Sequence, residues 1–303
     1  GLRSPEEFVA GHHHQVDPVG DGGWKVAEHA FPGDSVTGTI EDPHDRTIYS
    51  ALNLGHFGVK LRRSQDAGKT WTDVAAPQYP PKPEDEPSRE EKLQKPIPWS
   101  TQQIWAMESG GPGVLWAGTI PGGLFRSRDR GESWELIHSL WNRAERYRML
   151  GGGYDYPGIH SICVDPRDAG RITIAISCGG AWRSNDAGAT WNVCSHGMIA
   201  EYMPPGLQDD PVVQDPHRMV QSPSNPDVFW VQHHNGVFRS VDDSAKWTAV
   251  PAVPPSVFGF AVAVHPRDSD VAWFAPATKD EKRIPVDGKM VVTRTRDGGK
   301  DRK

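Results

Sequence analysis

Ser127-Arg128-Asp129-Arg130-Gly131-Glu132-Ser133-Trp134 is one copy of a pattern, Ser-x-Asp-x-Gly-x-Thr/Ser-Trp, that recurs along the chain. Full copies also stand at Ser64-Gln65-Asp66-Ala67-Gly68-Lys69-Thr70-Trp71 and Ser184-Asn185-Asp186-Ala187-Gly188-Ala189-Thr190-Trp191. A degraded copy runs Ser240-Val241-Asp242-Asp243-Ser244-Ala245-Lys246-Trp247, and a shortened one Thr295-Arg296-Asp297-Gly298-Gly299. Counted from their first residues, successive copies lie 63, 57, 56 and 55 residues apart. Each residue type suits a hairpin turn. The Asp carboxylate can accept backbone N–H groups across it, the Gly takes positive φ at no steric cost, and the Trp opens the next strand with a ring that can pack between sheets. Repetition at this interval, filled with short strands, marks propeller blades.

Working outward from the turns, each interval holds two more strand signals. First strands are predicted at 36–40, 103–107, 159–164, 217–221 and 258–264, second strands at 47–52, 114–118, 172–177, 228–232 and 271–275. Third strands run into the turn at 59–63, 123–126, 181–183, 236–239 and 290–294, and the fourth begins at the Trp. The fold class is therefore all-β, a β-propeller of four-stranded antiparallel blades. About five blades are present, and the chain is either a ring of five or a piece of a six- or seven-bladed one. Residues 1–23 are an N-terminal extension and 24–303 a single propeller domain. Asp21-Gly22-Gly23-Trp24 resembles a worn turn, which makes 24–31 a fourth strand without upstream partners. Insertions at 77–98, 141–157, 198–216 and 279–287 break the rhythm, and long loops on a rigid scaffold are where function concentrates.

Composition narrows the function. The chain has 303 residues, 24% charged and 36% hydrophobic, with a formal net charge of −6. That balance argues against a nucleic-acid partner, and no apolar run approaches the ~20 residues of a membrane span. Three cysteines, Cys163, Cys178 and Cys194, are too few for a disulfide framework; one Cys178–Cys194 bridge is the remaining oxidised alternative. The odd count and the lack of an apolar core in residues 1–11 favour a cytoplasmic location. A leader removed upstream would make the protein secreted.

The turns resemble the Asp boxes of the bacterial-neuraminidase-repeat superfamily, which includes sialidases, xyloglucan-acting glycoside hydrolases, sortilin-type receptors and photosystem II assembly factors. The resemblance covers about residues 24–299 and is closest to bacterial proteins labelled glycosyl hydrolase or exo-α-sialidase-like. It implies the fold more than the function. A sialidase would need an arginine triad and an Arg-Ile-Pro strand. That strand is missing, and Arg63, Arg126, Arg183 and Arg239 recur just before the turn, as structural residues do.

Strand order puts the turns on one rim and collects first-strand starts and second-strand ends on the other. That second rim is rich in histidine: His56, His160, His217, His233 and His234 are the expected metal ligands, holding zinc or another divalent transition cation. Asp155, His160, Glu201 and Tyr202 are the expected catalytic groups. Asp155 would orient a His or act as base, and a metal-bound water would attack an ester, phosphoester or glycosidic bond. Two alternatives stand beside this hydrolase. One is a metal-free glycoside hydrolase pairing Asp155 with Glu201, Asp210, Asp215 or Glu281, with Tyr154, Tyr156, Tyr202 and Trp141 stacking on sugar. The other is a non-catalytic binding or assembly propeller, its histidines plugging a polar channel. The expected partner is a small-molecule or glycan substrate.

Overall fold

The computed structural model describes residues 8–10, 14–18, 24–86, 96–151, 154–251 and 254–300, giving backbone only for those before His29. Asp21–Gly23 of the worn turn, His12 and His13, and Gly152 and Gly153 lie outside these residues. Five four-stranded antiparallel sheets follow one another along the described chain and form the blades of a β-propeller. Blade 1 comprises Ser35–Glu41, Ile48–Asn53, Val59–Ser64 and Thr72–Val74; blade 2 comprises Gln103–Gly111, Val114–Ile120, Leu124–Ser127 and Glu135–Leu136. Blade 3 is built from Ile159–Val164, Ile172–Ile176, Gly180–Ser184 and Asn192–Val193, and blade 4 from Pro216–Gln221, Phe229–His233, Gly236–Ser240 and Thr248–Ala249. In blade 5, Gly259–His265 pairs with the long strand Asp268–Lys279, which in turn pairs with both Lys282–Pro285 and Thr293–Thr295. The insertion at 279–287 thus supplies a strand of its own. Trp24–His29 is not partnerless: it pairs with His14–Pro18, which pairs with Phe8–Ala10.

The chain divides into two compact units. The first holds Gly1–Glu86 and Pro98–Ile137 with blades 1 and 2; the second holds Pro87–Ile97 and His138–Lys303 with blades 3 to 5. The second strands of blades 1 to 4 are buried along nearly their whole length, as in Ile172–Ile176 and Phe229–His233. A strand covered on both faces carries a continuous run of apolar or small residues rather than an alternation. Between blades 3 and 4, Ala175, Ala181, Met198, Met219, Phe229, Val231, Phe238 and Trp247 form one core cluster. Between blades 4 and 5, Val228, Trp230, Val237, Val262, Ala272 and Phe274 form another.

The repeated turn is held the same way in its three full copies. In the first, Asp66 Oδ1 accepts the Thr70 N–H at 2.9 Å, Oδ2 accepts the Thr70 hydroxyl at 2.6 Å, and Ser64 Oγ accepts the Gly68 N–H at 2.8 Å. The degraded copy keeps the core of this pattern through Asp242 Oδ1, 3.0 Å from the Lys246 N. Both residues after the Asp take positive φ, 59° and 89° at Ala67 and Gly68, as a type I′ hairpin turn requires. The arginines before the turns are structural. Arg183 pairs with Asp243, Arg239 with Asp270, and Arg126 with Glu135. The turn Trp residues differ from expectation: Trp191 and Trp247 are buried in the second unit, whereas Trp71 and Trp134 in the first are half-exposed. All three cysteines are free thiols, so Cys178 and Cys194 are not bridged. No helix among the described residues is long and apolar enough to cross a membrane.

The turn carboxylates carry a pH signature. Hydrogen bonds from Thr70, from Ser133 and from Thr190 hold Asp66, Asp129 and Asp186 at about 2. A folded value below the unfolded one, about 3.9, stabilises the native state above that unfolded value, and the contribution disappears as pH falls toward 2. Replacing all three by Asn should flatten the fall in urea stability between about pH 4 and pH 2. An unchanged slope would show that the turns do not govern acid sensitivity.

Candidate functional site

A β-bulge interrupts the start of the first strand in every blade. The register skips Thr37, Trp105, His160, His217 and Phe260, leaving each out of the ladder with its side chain re-aimed. In the second unit these positions are two histidines and a phenylalanine. His217 and Phe260, from adjacent blades, stack with ring centroids 4.7 Å apart and planes at 17°.

The polar centre of this region is Asp215, which directly precedes the first strand of blade 4 and is 5% exposed. Its Oδ1 accepts the Ser177 hydroxyl at 3.1 Å and the Cys178 N–H at 2.9 Å, both from the end of the second strand of blade 3. Its Oδ2 lies 3.4 Å from His217 Nε2 and 3.4 Å from His234 Nδ1. One ligand atom from each of Asp215, His217 and His234 lies within 4.8 Å of the other two. His217 Nδ1 is 2.7 Å from the Gly259 carbonyl, which accepts its proton. His234 sits in the turn after the second strand of blade 4, and its Nε2 faces Asp280 Oδ2 at 3.9 Å. Burial pushes the Asp215 carboxyl up, but the two imidazoles outweigh it and hold the group well below the usual carboxylate range. His234 is raised by its contact with Asp215.

Aromatic rings border the cluster. Tyr202, from the insertion at 198–216, meets His234 edge-on with centroids 5.1 Å apart and donates its hydroxyl to the Val213 carbonyl at 2.5 Å. Phe258 contacts both His217 and His234, and Phe260 is 43% exposed. These rings give the region an apolar, partly open border around a charged floor.

The other expected residues are placed elsewhere. His160 is buried, its Nδ1 at 2.9 Å from Ser161 Oγ, and desolvation pulls it to about 3. His233 is also buried and lowered to about 3 by desolvation. The N–H groups of Asp215 and Asn235 point at its two ring nitrogens, of which a neutral ring accepts at one. His160 and His233 are therefore buried beside the cluster and are not among its three converging residues. His56 lies in the first unit, exposed on the short Gly55–Phe57 helix against Phe57. Asp155 and Glu201 are exposed loop residues. Asp210 is tied to Arg148. Trp141 is buried with the Arg146 guanidinium 4.1 Å above its ring, so it offers no stacking surface. The sequence had marked Asp215 only as one of several loop carboxylates and had not marked Phe258 or Phe260. Alignment of the bulge positions would have singled out Phe260.

No family model matches the chain. Among curated proteins it is similar to xyloglucanase Xgh74A of Acetivibrio thermocellus, 27% identical over 157 residues that take in 44% of this chain and 16% of that protein. A xyloglucanase of a Paenibacillus species matches at 27% over 157 residues, 44% of this chain and 14% of the relative. Among solved structures, an ancestral GH74 enzyme superposes with a TM-score of 0.55 at 15% identity, covering 86% of this chain and 30% of the other. The GH74 xyloglucanase of Xanthomonas campestris gives 0.54 at 18% identity, covering 88% and 37%. The chain has the β-propeller fold of these enzymes. It spans under a fifth of the length of the curated relatives, and at these identities the structural likeness is one of fold.

Proposed function

We propose that this chain is part of a glycan-hydrolysing β-propeller and that its site lies at the Asp215–His217–His234 cluster. The sequence similarity to two xyloglucanases carries the substrate class, and among ester, phosphoester and glycosidic bonds it favours the glycosidic one. The cluster supplies suitable chemistry. Asp215 stays ionised and fixes two imidazoles, and His234 turns its second nitrogen toward Asp280 at the more exposed side. Imidazoles oriented in this way can take a proton from an attacking water or return one to a leaving oxygen. Tyr202 and Phe260 offer exposed ring surface against which a sugar can pack.

The test is reducing-end release from xyloglucan and from unsubstituted β-glucan. His234→Ala should lower the rate by ~10²-fold or more, the usual scale for a lost general acid–base group, with circular dichroism unchanged. Hydrolysis at the parental rate in both His234→Ala and Asp215→Asn would move the chemistry away from this cluster.

A further inference from the structure

We propose that Asp215 Oδ2, His217 Nε2 and His234 Nδ1 bind one divalent transition-metal cation, with zinc the best match to the donor set. This goes beyond the glycan reading and does not depend on it. Three observations converge. First, Asp215 and His217 have their other polar atom hydrogen-bonded, and that of His234 faces a carboxylate at 3.9 Å. Asp215 Oδ1 holds Ser177 and Cys178, His217 Nδ1–H holds the Gly259 carbonyl, and His234 Nε2 faces Asp280. Such outer partners fix the tautomer and aim the remaining lone pair, as they do around metal-ligating histidines. Second, Asp215 Oδ2 faces two imidazole nitrogens, His217 Nε2 and His234 Nδ1, each at 3.4 Å. That is longer than the roughly 2.7–2.9 Å of a charge-assisted N–H···O bond, and one shared cation can bridge all three atoms where two separate protons would otherwise be needed.

Third, the two oxygen–nitrogen spacings fit, and all three donor atoms lie within 4.8 Å of one another. Zinc–ligand bonds of about 2.0–2.1 Å in tetrahedral geometry put neighbouring donor atoms roughly 3.3 Å apart. Both oxygen–nitrogen separations are 3.4 Å. Two nitrogens and one carboxylate oxygen make a three-ligand set that leaves a fourth position for water or substrate. Cys178, though adjacent, is not among the three residues whose donor atoms converge.

The experiment uses the full chain with His12, His13 and His14 replaced by alanine, because three consecutive histidines can bind metals by themselves. After chelator treatment and dialysis, Zn²⁺ is titrated calorimetrically, and Co²⁺ is followed by visible absorption. One ion per chain and a four-coordinate cobalt spectrum are expected. His217→Ala and His234→Ala, each folded by circular dichroism, should abolish the isotherm, while His265→Ala should leave it intact. Absence of an isotherm for either ion, or one that survives both cluster substitutions, would overturn the site. Because binding is measured directly, failure of the hydrolysis assay leaves this result standing, and the converse also holds.

Discussion

Trp247→Ala should cost about 3–5 kcal/mol of unfolding free energy, the range for a large core aromatic. Trp71→Ala and Trp134→Ala should each cost markedly less. The three residues share a position in the repeated turn, so the sequence treats them alike, and their environments separate them. Trp247 is 2% exposed, donates its indole N–H to the Cys194 carbonyl at 2.7 Å, and meets Phe229 edge-on within the cluster between blades 3 and 4. Truncation there leaves a cavity and an orphaned buried carbonyl. Gly197 takes a φ of +99°, and a Cβ on it would come within 2.2 Å of the Trp247 carbonyl, so the two backbone segments are packed without slack. Trp134 is half-exposed and only reaches the Ala75 carbonyl. Trp71 is half-exposed against Phe31, at 4.9 Å between centroids. Equilibrium urea unfolding of the three variants checks the order. Equal losses would mean that the ring contributes through the turn and not through burial.

The fold was readable because the turn is both local and repeated. Ser, Asp, Gly and Trp at fixed offsets bond mostly to one another, so no distant residue is needed to recognise them. Strand limits were accurate to a residue or two in most blades. They failed at two local hairpins outside the repeat: Trp24–His29 found partners upstream, and 282–285 formed a strand inside what had read as a loop. The site was readable in part for the same reason. His217 and His234 could be placed on the correct rim by counting strands. His160 shares the bulge position of His217 and was indistinguishable from it in sequence. What separates them is tertiary. His160 lies buried against Ser161, and its carbonyl accepts Arg218. His217 instead meets the carbonyl of Gly259, where a side chain would press on the Ala275 carbonyl at 2.8 Å. No pattern of spacing carries that difference. Asp215 was one acid among many until the buried N–H of Cys178 and two imidazoles closed around it.

Asp215→Ala should be the most damaging single change at the site even in chelated protein, at about 3–5 kcal/mol, as when one partner of a buried charged pair is removed. The carboxylate joins three chain segments that are distant in sequence. It receives Ser177 and Cys178 from blade 3, and it faces His217 from the first strand and His234 from the second-strand turn of blade 4. Cys178 is held at a positive φ of 50°, a conformation its side chain disfavours, and its N–H has the carboxylate as acceptor. Without that acceptor a buried donor is left unsatisfied, which alone costs roughly 1–3 kcal/mol. Asp215→Asn keeps an oxygen for Cys178 and Ser177 and loses only the charge, so it should cost less. His234→Ala removes a side chain that is 21% exposed and is not part of either core cluster, and it should change stability by less than ~1 kcal/mol. The order Ala above Asn at 215, with His234→Ala near parent, is what urea midpoints should show. If Asp215→Ala is as stable as the parent, Asp215 does not organise the floor of this site.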